Sequence, residues 1–148
     1  MTPPQSRSDA GLATSLRISI SRLARRMRAE RVAQGLQPEL SDSQLASLAA
    51  LEKAPMTPGE LADHEKVQPP SITRVIASLE ERGLIQRMPH PSDRRQVVLT
   101  VTDQGRDFVR QVRHLREAWL ARRLADLTPA ELTVLRDALP ILEKLSQS

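Results

Sequence analysis

Two clusters of side chains have types and spacings suited to chemistry, and in both it is the chemistry of recognition. Gln68-Pro69-Pro70-Ser71-Ile72-Thr73-Arg74 gathers an amide, two hydroxyls and a guanidinium at the start of an amphipathic run. Asp93-Arg94-Arg95 lies in a Pro-containing polar segment between two runs rich in β-forming residues, with Arg87 and His90 shortly before it. A guanidinium is a rigid fork of N–H donors that fits phosphate oxygens and the O6/N7 edge of guanine, while hydroxyls and amides can both donate and accept. Groups for bond-breaking are lacking. The sequence has no Cys, no G-x-S-x-G, no P-loop and no H-E-x-x-H, and His64, His90 and His114 are scattered without ligand spacing. Its carboxylates fall mostly at helix caps (Glu60, Glu131) or beside arginines on helix faces (Glu80, Glu81). The chain is expected to be no enzyme and to carry no metal, cofactor, disulfide or redox thiol.

The overall charge agrees with an anionic partner. The 148 residues carry a formal charge of +4, and Arg outnumbers Lys 19 to 3; the pI is near 10.6. A GC-rich genome would produce the same arginine bias, so composition supports a polyanion without fixing it. One Phe, one Trp and no Tyr leave no stacking platform of the kind that single-strand and RNA binders use. Double-stranded DNA fits best. The first eleven residues, MTPPQSRSDAG, lack an apolar signal core, and no apolar run approaches the roughly 18 residues of a membrane span. An intracellular, cytoplasmic protein with no membrane partner is expected, large enough for one domain with its own core.

The pattern of elements explains how the two clusters would be held. Residues 1–11 read as a flexible, polar N-terminal tail, and 12–148 as a single domain. Leu12, Leu16, Ile20, Leu23 and Met27 recur at helical spacing, predicting a helix to about Gln34. Ser41 with Gln44 forms a capping box for a second helix, which Pro55 stops. Thr57-Pro58-Gly59-Glu60 starts a short third helix over about Gly59 to Lys66. The fourth helix, about Pro70 to Arg82, turns Ile72, Val75, Ile76 and Leu79 inward and ends at Gly83, with Leu84 as its apolar contact. Leu84–Met88 and Val97–Val101 read as a hairpin whose loop, Pro89 to Gln96, is longer than a plain turn needs. Thr102 caps a long helix to about Asp126, and Thr128 with Glu131 caps a last one that Pro140 should kink or break.

This order of elements, from Leu12 onward, resembles the MarR family of bacterial transcription regulators. Two segments carry the resemblance. One is Ser71-Ile72-Thr73-Arg74 with Leu79-Glu80-Glu81-Arg82-Gly83-Leu84-Ile85. The other is Asp93-Arg94-Arg95 followed, after six intervening residues, by Thr102-Asp103-Gln104-Gly105, similar to the family's wing signature of D-x-R running into L-T-x-x-G, with Val101 in place of Leu. The implied fold is mainly α, an α+β winged helix-turn-helix over about 40–101 flanked by dimerisation helices over about 12–34 and 102–146. It would comprise about six helices and a two-stranded β-wing. The fourth helix would enter the major groove with Gln68, Ser71, Thr73 and Arg74 toward bases or phosphates, Arg74 being the best candidate for a guanine edge. The Pro69 and Pro70 rings could touch a thymine methyl, and the helix dipole and free N–H groups favour a phosphate. Alternatively, Ser71 and Thr73 serve only the helix start. The resemblance implies that Arg95 reaches the adjacent minor groove, where narrow A·T-rich DNA concentrates negative potential. Asp93 would orient the wing by pairing with Arg94 or Arg74. Arg87 and His90 either add phosphate contacts or stay solvated.

The terminal helices present more apolar stripe than one small domain needs. Leu16, Ile20, Leu23, Trp119, Leu132, Leu135, Leu139 and Leu142 are candidates for a homodimer seam, since three-and-four spacing is that of helices packed on helices; an intramolecular core is the other reading. A two-fold dimer would double the site read, on a pseudo-palindromic operator. The resemblance further implies repression relieved by a small, frequently aromatic and anionic effector bound between the dimer helices and the reading head. Its walls would come from Leu12 to Arg28, Leu45 to Leu51 and the start of the 102–126 helix, with Arg17 or Arg22 pairing its carboxylate. A thiol-based peroxide sensor is excluded by the lack of Cys. Two other readings compete: an architectural or weakly specific DNA binder, and a winged-helix module for protein contact.

Overall fold

In the computed structural model, which describes residues 9–147, the chain forms six helices and one two-stranded antiparallel sheet. They run α1 (Asp9–Ala33), α2 (Asp42–Lys53), α3 (Pro58–Glu65), α4 (Pro69–Glu81), β1 (Ile85–Pro89), β2 (Val97–Val101), α5 (Asp103–Leu124) and α6 (Pro129–Ser146). Residues 9–11, expected in the flexible tail, belong to the first turn of α1, where Asp9 sits favourably at the positive end of the helix dipole. The remainder of that expected tail lies outside the described residues.

Three capping boxes form as their spacing predicts. Ser41 with Gln44, Thr57 with Glu60 and Thr128 with Glu131 each exchange side-chain and backbone bonds across the first turn. Behind them a single core gathers the inner faces of α2, α3 and α4 against the sheet and α5. Leu48, Leu61, Leu79, Leu84 and Leu99 are completely enclosed, and Ile72, Ile76, Phe108 and Val112 pack around them. α3 ends on Lys66 in the left-handed conformation, φ 55° and ψ 43°, which turns the chain toward α4. α4 ends as Gly83 predicts: the Gly83 N–H donates to Glu80 O, and the Leu84 N–H reaches back to Leu79 O. Leu84 is used in that closure, so β1 begins one residue later than expected. Thr102 then ties the hairpin to α5, its hydroxyl donating to Gly83 O at 2.6 Å while accepting from the Gly105 N–H at 3.1 Å. Met56, in the α2–α3 connection, bonds both ways with Leu99 and anchors the base of the hairpin.

The terminal helices differ from this compact middle. α1 lies along α5. α6 has no buried residue and only slight packing against the other described elements. Leu135, Leu139 and Ile141 are 43, 54 and 62% exposed, and on α1 Ile20 and Leu23 are also open to solvent. Leu16, Leu132 and Leu142 are partly or marginally open. Trp119 corrects the expected seam. At 4% exposure it is covered by its own chain, with the Arg123 guanidinium over its ring, so it cannot face a partner. Pro140 does not break α6, which continues through it. The carbonyl four residues back loses its intrahelical donor, and on so exposed a helix water can take its place.

Candidate nucleic-acid interface

α4 begins with Pro69 and Pro70 in its first two positions, and Gln68 before them makes no side-chain cap. Neither proline has an N–H to offer. The next one, from Ser71, donates to Gln68 O at 3.0 Å. The expectation of free backbone donors for a phosphate is therefore not met, and recognition at this end falls to side chains. Gln68, Pro69, Pro70, Ser71, Thr73 and Arg74 are all exposed. The Thr73 hydroxyl donates to Pro69 O at 2.9 Å, which serves the helix start and leaves its lone pairs facing outward. Ser71 takes no part in capping, and Arg74 has no carboxylate partner among the described residues.

Three polar ties fix α4 in place. Gln44 Nε2 of α2 donates to Ser78 Oγ at 2.8 Å, and Arg82 donates to Glu39 O at 2.9 Å. From the sheet, Arg87 Nε donates to Glu80 Oε2 at 2.7 Å. Arg87, a candidate phosphate contact, is thus engaged in joining hairpin to helix.

The hairpin pairs Ile85 with Val101 through to Pro89 with Val97, and its loop closes on itself. The His90 N–H donates to Gln96 O at 3.3 Å, and the Gln96 N–H to Asp93 O at 3.1 Å. His90 Nδ1 accepts the N–H groups of Ser92 and Asp93 at 3.2 and 3.1 Å. Asp93 Oδ1 in turn accepts the Arg95 N–H at 3.0 Å. Asp93 pairs with neither Arg94 nor Arg74, contrary to expectation. A carboxylate two residues ahead of a backbone N–H closes a local turn more readily than it captures a long, solvated guanidinium. Arg94 and Arg95 consequently stand exposed without carboxylate partners among the described residues, like Arg74. Four of the six arginines of α5 are treated differently: Arg106, Arg110, Arg113 and Arg122 each meet a carboxylate at 3.0–3.5 Å. On α1, Arg17, Arg22, Arg25 and Arg26 are exposed as well.

A second feature lies between the reading head and the terminal helices. α1, α2 and α5 line a solvent-open pocket of about 280 Å³ with Ala24, Met27, Arg28, Asp42, Leu45 and Arg116, among others. Arg28 Nε donates to Asp42 Oδ1 at 3.0 Å. Arg116 is half-buried, and its pKa is lowered by desolvation first and then by the nearby Arg31 and Arg28 charges, against the opposing pull of Asp42. Arg17 and Arg22 do not line this pocket. The signal for Arg116 was its position, since Phe108, Val112, Arg116 and Trp119 continue one inward stripe and place a guanidinium where an apolar residue would otherwise stand.

Comparison with known proteins places these features in context. The MarR family model matches residues 40–97, the segment from the start of α2 through the hairpin loop. An HTH-type transcriptional regulator of Mycobacterium tuberculosis is 43% identical over 136 residues, 91% of this chain and 92% of that protein. The HTH-type transcriptional repressor MdtR of Bacillus subtilis is 30% identical over 93% of this chain and 87% of its own. Among solved structures, RV1404 from M. tuberculosis superposes with a TM-score of 0.84 at 30% identity, covering 97% of both chains.

Proposed function

The chain belongs to the MarR family of helix-turn-helix transcriptional regulators, and on that premise we propose that it is a cytoplasmic homodimeric repressor of a pseudo-palindromic duplex operator, released by a small aromatic anion. One observation carries the DNA-reading part. Arg74, Arg94 and Arg95 stand exposed, without a carboxylate partner among the described residues, on two elements that the Arg87–Glu80 ion pair joins. α4 is the recognition helix, presenting Gln68, Ser71, Thr73 and Arg74 to the major groove, and the hairpin is the wing, presenting Arg95 to the neighbouring minor groove. Two such heads about one helical turn apart read the two half-sites. That MdtR is named a repressor supports the direction of regulation.

Arg74→Ala should weaken operator binding by about 1–3 kcal/mol and relax the preference at one base position, as loss of a bidentate guanine contact does. Fluorescence anisotropy against the chain's own upstream duplex at about 150 mM salt, with random competitor, measures both effects. Equal affinity for operator and random DNA in the parent protein would support an architectural binder. An affinity insensitive to salt would favour a protein-contact module, because phosphate neutralisation must release counterions.

The α1/α2/α5 pocket is the effector site in this reading, with Arg116 and Arg28 receiving the carboxylate and Met27 and Leu45 the ring. A ligand acts only by preferring one spacing of the two heads. Arg116→Gln should leave operator affinity within about twofold and reduce salicylate-induced release roughly tenfold or more, since a charge-assisted bond contributes about 1.5–3 kcal/mol. Unchanged release, read by titrating salicylate into the complex, would move the effector elsewhere.

A further inference from the structure

We propose that His90 is the positioning residue of the wing, setting the backbone from which Arg95 projects through an acceptor nitrogen that works only while unprotonated. The inference rests on the reading of the hairpin as a DNA-contacting wing and adds a role to a residue otherwise suited to a phosphate contact. His90 Nδ1 accepts the Ser92 and Asp93 N–H groups at 3.2 and 3.1 Å, and Asp93 Oδ1 accepts the Arg95 N–H at 3.0 Å. Imidazole, Asp93 backbone, Asp93 carboxylate and Arg95 backbone thus form one relay. The first link holds the turn in which the second becomes possible. The Ser92 hydroxyl also lies 3.4 Å from His90 Nδ1, so Ser92 is tied to the imidazole by backbone and side chain alike, while the pairing of His90 N–H with Gln96 O closes only the mouth of the loop.

The chemistry of the first link fixes a direction with pH. An imidazole nitrogen facing two N–H donors must present its lone pair, so the ring proton belongs on Nε2. Protonating Nδ1 turns that acceptor into a donor with only the Ser92 hydroxyl oxygen, 3.4 Å away, to receive it, and both N–H bonds that hold the turn are lost. A histidine whose role were to touch phosphate would behave oppositely, gaining attraction to DNA as it became charged. The charged groups around it are few. Arg87 on β1 is committed to Glu80 of α4, Asp93, Arg94 and Arg95 share the loop, and β2 (Val97–Val101) contributes no charge.

His90→Ala should weaken operator binding roughly fivefold or more at pH 7.5, comparable to losing one to two hydrogen bonds in the relay. His90→Asn should restore affinity to within about twofold, because an Asn side-chain oxygen accepts N–H groups two and three residues on. As the pH falls from 7.5 to about 5.5, the parent should weaken relative to His90→Asn, a ratio that cancels pH effects common to both proteins. Arg95→Ala, measured alongside, should weaken binding, and His90→Ala should cost nothing further in its presence, since His90 acts through Arg95. Parental affinity in Arg95→Ala would overturn the wing reading and this proposal with it. A weakened Arg95→Ala beside an unaffected His90→Ala would overturn the His90 role alone. So would an unrescued His90→Asn, additive losses in the double variant, or relative tightening of the parent on acidification.

Discussion

Replacing Leu135 and Leu139 together by Asp should yield a monomer that no longer shifts a two-half-site operator. Both side chains lie on a helix without a single buried residue, next to Ile141 and Leu142 on the same open element. An amphipathic helix of 18 residues that buries nothing in its own chain has no reason to stay apolar unless another surface covers it. Burying a fully exposed leucine gains about 1.5–3 kcal/mol; with about half of each side chain left to bury and two-fold symmetry making four such burials from two positions, about 3–6 kcal/mol is at stake before carboxylate desolvation is added. That corresponds to a rise of about two to four decades in the dimer dissociation constant. DNA binding should fall with it, because the second head then has to be recruited from solution instead of arriving tethered. Light scattering and a gel shift on the same preparation read the two effects. A variant still dimeric would place the interface elsewhere, and a monomer with parental operator affinity would mean that one head suffices.

What was legible in the residues was local. Capping boxes, the Gly83 closure and the inward stripe of α4 each depend on side chains within one or two turns of one another, and all form as their spacing dictates. The positions of Arg74 and Arg95 were legible for the same reason, since a helix start and a hairpin loop follow from short-range signals. Long-range partners were not. Periodicity identifies an apolar face without saying what covers it, which is why Trp119 could be read as seam although its own chain encloses it. The Met56–Leu99 bridge joins positions far apart in sequence through backbone atoms alone, and no side-chain pattern marks it. Opposite charge suggests an arginine side chain for Asp93, whereas a backbone N–H two residues on is nearer and takes its carboxylate. Arginines interrupting an apolar stripe were the overlooked signal. Arg31 follows Leu23 and Met27 at helical spacing and is 6% exposed, its Nη2 donating to Leu40 O at 3.2 Å. Arg116 occupies the equivalent position on the stripe of α5 and lines the pocket.

Gly105→Ala should destabilise the whole chain, although Ala is the better helix former. A Cβ at this position would lie 2.1 Å from Leu84 O and 2.8 Å from Val101 Cγ1, and the first of these is backbone that cannot rotate away. Leu84 O accepts the Thr102 N–H at 3.1 Å, and Gly83 O, one residue before it, accepts the Thr102 hydroxyl at 2.6 Å. Making room would therefore strain the joint at which recognition helix, wing and α5 meet. Overpacking of about 1–3 kcal/mol plus about 1 kcal/mol for each weakened hydrogen bond exceeds the roughly 1 kcal/mol gained in helix propensity. A net loss of about 2–3 kcal/mol lowers Tm by roughly 4–12 °C in a chain of this size. Gly59 supplies the opposite case, because a Cβ there meets nothing nearer than Thr57 Oγ1 at 4.0 Å. Gly59→Ala should leave Tm unchanged or raise it slightly, since only the propensity gain remains. Thermal denaturation of the two variants side by side separates close approach from backbone preference. If Gly105→Ala melts with the parent, α5 can slide against Leu84, and the joint holding helix to wing is looser than its hydrogen bonds imply.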